Sequence, residues 1–328
     1  MRAVRASLLF VLTLLAVTAC AGGGQPVDLA TVQSVERPKP VGAEENPAPP
    51  STSAAPAPAC DPTASYRPEP SLPPPGQMPA GTTMKAIQDA GQLIAGVDQN
   101  TFLFGFRNPS TNTLEGFDID RVREIAKAIF GDPNKVQFKV VTSAGRIKAL
   151  TDGDVHVVVR TMTATCDRWK DINFSAIYYT AGQRLLVDRT SKVTNLDQLG
   201  GQKVCAAKGS TSIKTIATHQ AKLVPVQVDN WSDCLIMLQQ AQVAAVSTDD
   251  TILAGMVAQD PNVKMAGPRF TQEPYGIGIP KANVDMVKFV NGVLAKSIAD
   301  GSWAASYDKW LGKTGEPRPT PPVPVYRD

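Results

Sequence analysis

From residue 82 onward, apolar positions switch repeatedly between an alternating or continuous pattern and a helical one. The spacing predicts a short helix over 83–90, stopped by Gly91, and a buried strand over 92–97. Ile119, Val122, Ile125, Ala126 and Ile129 recur at helical spacing within 117–130, and Gly131 and Pro133 end that helix. A strand over 136–141, a helix over 146–152 and a strand over 155–159 follow. A second series then begins: strand 203–207, helix 212–221, strand 223–228, helix 231–240, strand 243–246 and helix 250–258. A strand over 275–279 and helices over 284–299 and 303–311 complete it. Strands separated by single helices imply parallel sheets with helices on both faces, an α/β fold. Ligands of such open sheets sit in the crevice at the carboxyl ends of the strands, so chemistry is expected there.

The first eighty residues follow no such period. Arg2 and Arg5 precede an apolar run over 8–17, shorter than the roughly 20 residues that span a bilayer. Small residues follow it, so 1–19 reads as an export signal. Cys20 after Val17-Thr18-Ala19 resembles the bacterial lipoprotein box, which implies cleavage before Cys20 and a lipid on its sulfur. Residues 20–80 then read as anchor and tether: fourteen prolines lie between Pro38 and Pro79, against seven over 81–316. That composition favours extended, semi-rigid conformations. Five more prolines mark 313–328 as a Pro-rich tail.

Charge narrows the function classes. With 33 Lys+Arg against 30 Asp+Glu, the formal charge of +3 gives no concentrated basic face for nucleic acid. Apart from Cys20, four cysteines remain in an oxidising compartment, and four allow three connectivities. Cys205, in an expected strand, and Cys234, in an expected helix of the same segment, form one pair. Cys60 with Cys166 follows by elimination. No C-x-x-C spacing and only two histidines leave no metal site and no cofactor to expect.

Polar residues collect at the strand ends. After strand 155–159 come Thr161, Thr163, Thr165 and Arg168. Two hydroxyls, helix N–H groups and a guanidinium there make either a carboxylate clasp or simply a capped helix with a surface arginine. After strand 203–207, Lys208-Gly209-Ser210-Thr211-Ser212 opens a helix and offers a second anion site. After strand 243–246, Asp249 or Asp250 is placed to neutralise an ammonium group. The set suits a zwitterion held between two segments.

In order and spacing, Glu115-Gly116-Phe117-Asp118-Ile119-Asp120, Met162 to Arg168, Phe174 to Tyr179, Lys208 to Thr211, Asp249-Asp250 and Glu273 to Ile277 resemble the polar amino-acid substrate-binding proteins of bacterial ABC transporters. The resemblance spans about 93–312. It implies a periplasmic-binding-protein-like fold of type II: two α/β lobes joined by two hinge strands, closing over one L-amino acid. The implied boundaries are 81–184 and 272–312 for the first lobe and 185–271 for the second. Carried over, Arg168 grips the α-carboxylate with the Thr163 and Thr211 N–H groups. Asp249 takes the α-ammonium with Thr161 and Thr163, and Ser210 lines the pocket. Asp98 and Phe102 contribute contacts from the loop after the first strand. Trp231 either covers the ligand or packs as core.

Ser143 and Arg146 resemble the residues with which acidic amino-acid binders hold a distal carboxylate, which favours glutamate and aspartate over asparagine and glutamine. A monomer is expected, anchored by lipid to the outer face of the cytoplasmic membrane and handing its ligand to an ABC permease. A membrane sensor is the alternative partner. A cyclohexadienyl dehydratase shares this kind of fold, but His156 in a strand and His219 late in a helix read as structural, so no catalytic residue is expected.

Overall fold

The computed structural model describes residues 37–47, 60–314 and 318–327. The expected export signal and Cys20 lie outside the described residues. Two sheets organise the chain. The first has the order Val136–Val140, Leu93–Val97, Val157–Val158, Gly278–Pro280, Ile172–Phe174. Its strand Leu93–Val97 runs parallel to both neighbours, with Leu93 opposite Val136 and Ala95 opposite Val157. Gly278–Pro280 returns antiparallel between Val157–Val158 and Ile172–Phe174.

The second sheet has the order Glu44–Glu45, Val224–Val228, Lys203–Ala207, Ala245–Asp249, Gln183–Asp188, Val263–Ala266. Lys203–Ala207 is parallel to the strands on either side, and Gln183–Asp188 pairs antiparallel with both of its neighbours. A separate antiparallel pair, Tyr179–Ala181 with Glu273–Tyr275, carries the chain between the sheets. The result is two α/β lobes joined by two crossing strands.

Each lobe has its own core. In the first, helix Phe117–Phe130 turns Phe117, Ile119, Val122, Ile125 and Ile129 inward, against Val290, Leu294 and Trp303 of helices Val284–Ala299 and Ser302–Trp310. In the second, Val204, Val226, Val246, Leu253 and Met256 meet between the sheet and its helices. Each such side chain contributes about 1.5–3 kcal/mol by leaving water. Aromatic rings stack under the hinge: Tyr179 lies over Tyr307 with centroids 6.4 Å apart, and Tyr275 meets Phe104 edge-on at 6.1 Å.

The expected tether and tail are only partly spacers. Glu44–Glu45 adds to the edge of the second sheet opposite Val226 and Gln227, where Glu45 pairs with Lys203 at 2.8 Å. Ala64–Tyr66 pairs in parallel with Val325–Arg327 of the tail, and buried Ser65 donates to the Phe174 carbonyl at 2.8 Å. Both strands avoid proline, so their N–H groups remain available to a ladder. Cys60 is bonded to Cys166 and Cys205 to Cys234, with Cα separations of 6.0 and 5.6 Å. The expected strand over 275–279 divides into Glu273–Tyr275 and Gly278–Pro280. The chain leaves the crossing pair after Tyr275 to join the first sheet.

Candidate functional site

Five loops at strand ends converge between the lobes. In the first lobe, Thr142 accepts the Gly145 N–H at 3.1 Å, closing the turn that starts helix Arg146–Thr151. Thr165 caps helix Cys166–Asp171 by accepting the Arg168 N–H. In the second lobe, Ser210 caps helix Thr211–Thr218 by accepting from the Ile213 N–H at 3.1 Å. Trp231 begins helix Trp231–Gln239, and Asp249 ends strand Ala245–Asp249. The cavity these loops enclose is walled by Ser143, Arg146, Thr161, Thr163 and Arg168 on one side. Ser210, Thr211, Ser212, Trp231, Asp249 and Ile252 wall the other.

Arg168 spans the lobes. It donates from Nη1 to the Thr163 carbonyl at 2.6 Å and from Nη2 to the Gly209 carbonyl of the opposite lobe at 3.1 Å. Burial pushes its pKa down, while Glu273 and Asp249 oppose that shift. Arg146 is buried and donates from Nε to the Ser143 carbonyl at 2.9 Å and from Nη1 to the Arg160 carbonyl at 3.2 Å. Its pKa falls well below the ordinary value, through burial first and then repulsion by Arg168 and Arg160. Arginine starts so far above neutrality that both side chains remain cations.

Asp249 faces them from the second lobe. Its Oδ2 accepts from the Tyr275 hydroxyl at 2.5 Å, and its Oδ1 has no hydrogen-bond partner among the described residues. Burial pushes its pKa up to about 8, helped by the negative charge of Glu273 and resisted by the Tyr275 hydrogen bond. Trp231 is likewise buried with Nε1 unpartnered among the described residues. A buried acceptor and a buried donor without protein partners are costly unless a ligand engages them.

The structure brings nine of the eleven expected ligand-binding residues to this cavity and leaves out Asp98 and Phe102. Asp98 turns back on its own loop: Oδ1 accepts from the Gln99 and Asn100 N–H groups and Oδ2 from the Thr101 hydroxyl. Arg160 completes that set with a 2.9 Å ion pair to Oδ2. Phe102 packs edge-on against Phe106, with centroids 4.7 Å apart, and its carbonyl faces Gly255 of the second lobe. Neither histidine lines the cavity, and His156 Nδ1 accepts from the Ile94 N–H at 3.0 Å. No group of three or more His, Cys, Asp or Glu among the described residues could hold a metal ion.

Several contributors carried no assigned role in the sequence reading. Arg160 donates to Ser143 Oγ at 2.5 Å and fixes that side chain. Thr161 adopts a positive φ of 39°, uncommon for a β-branched residue. Asp118 holds it there by accepting the Thr161 N–H at 2.8 Å. Glu273 and Tyr275 reach in from the crossing strand. A signal existed for Asp118, Glu273 and Tyr275 in the motifs that contain them, although not for what each side chain touches.

Two lobes closing on polar groups from both sides define a solute-binding protein. The chain belongs to the bacterial extracellular solute-binding proteins, family 3, whose model matches residues 93–313. It is 42% identical over 230 residues to the ABC transporter glutamine-binding protein GlnH of Bacillus subtilis, covering 70% of this chain and 84% of that one. It is 28% identical over 255 residues to the glutamate-binding protein GluB of Corynebacterium efficiens, covering 74% and 86%. Among solved structures, an ancestral arginine-binding protein bound to glutamine matches with a TM-score of 0.64 at 35% identity. That match covers 68% of this chain and 99% of the other.

Proposed function

We propose that the protein captures a polar L-amino acid outside the cytoplasmic membrane, with glutamate and aspartate preferred over asparagine and glutamine. In this reading Arg168 and the Thr163 and Thr211 N–H groups hold the α-carboxylate, and Asp249 Oδ1 takes the α-ammonium. Ser143, Arg146 and Trp231 receive the distal group. The observation that carries the acidic preference is the donor character of that distal wall. Arg146 Nη2 and Trp231 Nε1 are N–H donors, and the Asp98 carboxylate is consumed by Arg160 and its own loop. A carboxylate satisfies such donors at charge-assisted strength, whereas a terminal amide leaves its NH₂ group without an acceptor. Lipid attachment at Cys20 and delivery to an ABC permease complete the proposal.

Glutamine deserves a second reading because the Bacillus subtilis relative, named as a glutamine-binding protein, is 42% identical. Calorimetric titration with glutamate, aspartate, glutamine and asparagine separates the two readings. Arg146→Ala is expected to weaken glutamate by at least about 30-fold and glutamine by only a few fold, since only the acid loses an ion pair. Equal losses for both, or tighter wild-type binding of glutamine, overturn the acidic preference.

A further inference from the structure

Glu273 lies on the crossing strand Glu273–Tyr275, only 3% exposed, behind the cavity wall. Its Oε2 accepts one hydroxyl hydrogen from each lobe, from Thr163 Oγ1 at 2.7 Å and from Thr211 Oγ1 at 2.8 Å. Its Oε1 accepts from Thr271 Oγ1 at 2.8 Å, so hydroxyl groups hold the carboxylate at both oxygens. Thr163 and Thr211 also wall the cavity. A hydroxyl group has a single hydrogen and two lone pairs. Once both threonines spend that hydrogen on Glu273, their Oγ1 atoms present only lone pairs to a ligand.

We infer that Glu273 is a specificity-determining residue: by drawing the Thr163 and Thr211 hydroxyl hydrogens out of the cavity, it turns both hydroxyl groups into acceptors and makes a 2-ammonium group obligatory in the ligand. Asp249, which also walls the cavity, adds a third acceptor through its Oδ1. Ligand N–H groups satisfy this trio. A keto oxygen in their place has no hydrogen to offer and meets lone pairs. The inference rests on the amino-acid reading above and extends it to the rejection of 2-oxo acids of the same carbon skeleton.

The test is a ratio of affinities, measured on the full chain by calorimetry. For whichever of the four amino acids binds most tightly, its Kd is compared with that of its 2-oxo analogue. The wild type is expected to favour the amino acid on the order of 1,000-fold, because a site built around polar partners rejects analogues that leave them unpaired. Glu273→Leu frees both hydroxyl groups to donate and is expected to reduce that ratio at least about tenfold. Glu273→Gln keeps a carbonyl oxygen that accepts from both threonines and is expected to retain most of the ratio.

A residue that merely bridged the lobes would weaken both ligands alike, so an unchanged ratio in Glu273→Leu overturns the inference. If that variant fails to fold, the double variant Thr163→Val, Thr211→Val takes its place. It removes the two acceptors directly, and an unchanged ratio there is equally fatal. A wild-type protein that binds an amino acid but shows no preference over the 2-oxo analogue overturns this inference and the ammonium role of Asp249, and leaves amino-acid binding itself standing. Failure of the wild type to bind any amino acid overturns the underlying reading and this one with it.

Discussion

Asp249 gives the site a pH signature. Its carboxyl group holds a proton up to about pH 8, chiefly because it is buried and secondly because Glu273 lies near. An ammonium ligand needs the ionised form, so binding below that pH must expel the proton. Affinity is therefore expected to rise about tenfold per pH unit up to pH 8 and then level off. Asp249→Asn should bind weakly at every pH, with no such slope. Titrations at pH 6, 7, 8 and 9 check this, and a flat wild-type profile refutes it. The sequence exposed Asp249 because an acid directly after a strand in an α/β chain has few other places to point. It did not reveal that Asp98, which also follows a strand, is held within its own turn, because the donors that capture a carboxylate there leave no periodic trace. Glu273 stayed unassigned for a related reason: a lone acid beside proline resembles a surface residue until the crossing strand is seen to bury it.

At the level of elements, helix Asp250–Gln259 carries a glycine whose two effects oppose each other. Gly255 lies in the helix interior, where alanine is favoured by about 1 kcal/mol. Yet a Cβ at Gly255 would stand 2.5 Å from the carbonyl oxygen of Phe102, which belongs to the other lobe. The clash exists only when the lobes meet. Gly255→Ala is thus expected to leave the ligand-free protein as stable as the wild type or slightly more so, while weakening ligand binding about tenfold or more. Thermal melts with and without ligand separate the effects, and wild-type affinity in the variant would refute the closure argument. Helices such as Thr83–Ala90 and Phe117–Phe130 were legible to the residue, since glycines at φ 82° and 80° end them. The strands Asn100–Thr101 and Leu114–Glu115 were not, because two residues cannot display a period.

For the molecule as a whole, described parts of the segments read as linkers turn out to brace the lobes: Glu44–Glu45 joins the second sheet, and Ala64–Tyr66 with the tail strand braces the first lobe. The tail strand Val325–Arg327 pairs with Ala64–Tyr66, and Arg327 also lies over the Trp169 ring at 4.0 Å while donating from Nε to the Ala64 carbonyl at 3.0 Å. Proline content favoured extended conformations in these regions, but it is silent on the short proline-free stretches that can enter a ladder. Strand Ala64–Tyr66 is also tethered at its N-terminal end by the Cys60–Cys166 bond, which closes a separation of 106 residues. By the chain-entropy relation, a loop of about that length contributes roughly 4.7 kcal/mol. Truncation after residue 314 removes the short ladder and the cation–π contact, together worth about 2 kcal/mol, and is expected to lower Tm by about 4–8 °C. Ligand affinity should change less than about twofold, because no residue of the tail walls the cavity. Since tail and disulfide restrain the same strand, losing both frees it. The truncated Cys60→Ser, Cys166→Ser protein should therefore fall in Tm by more than the sum of the separate losses. Scanning calorimetry of the four proteins decides the matter: strictly additive shifts would mean that the tail and the disulfide stabilise the lobe independently.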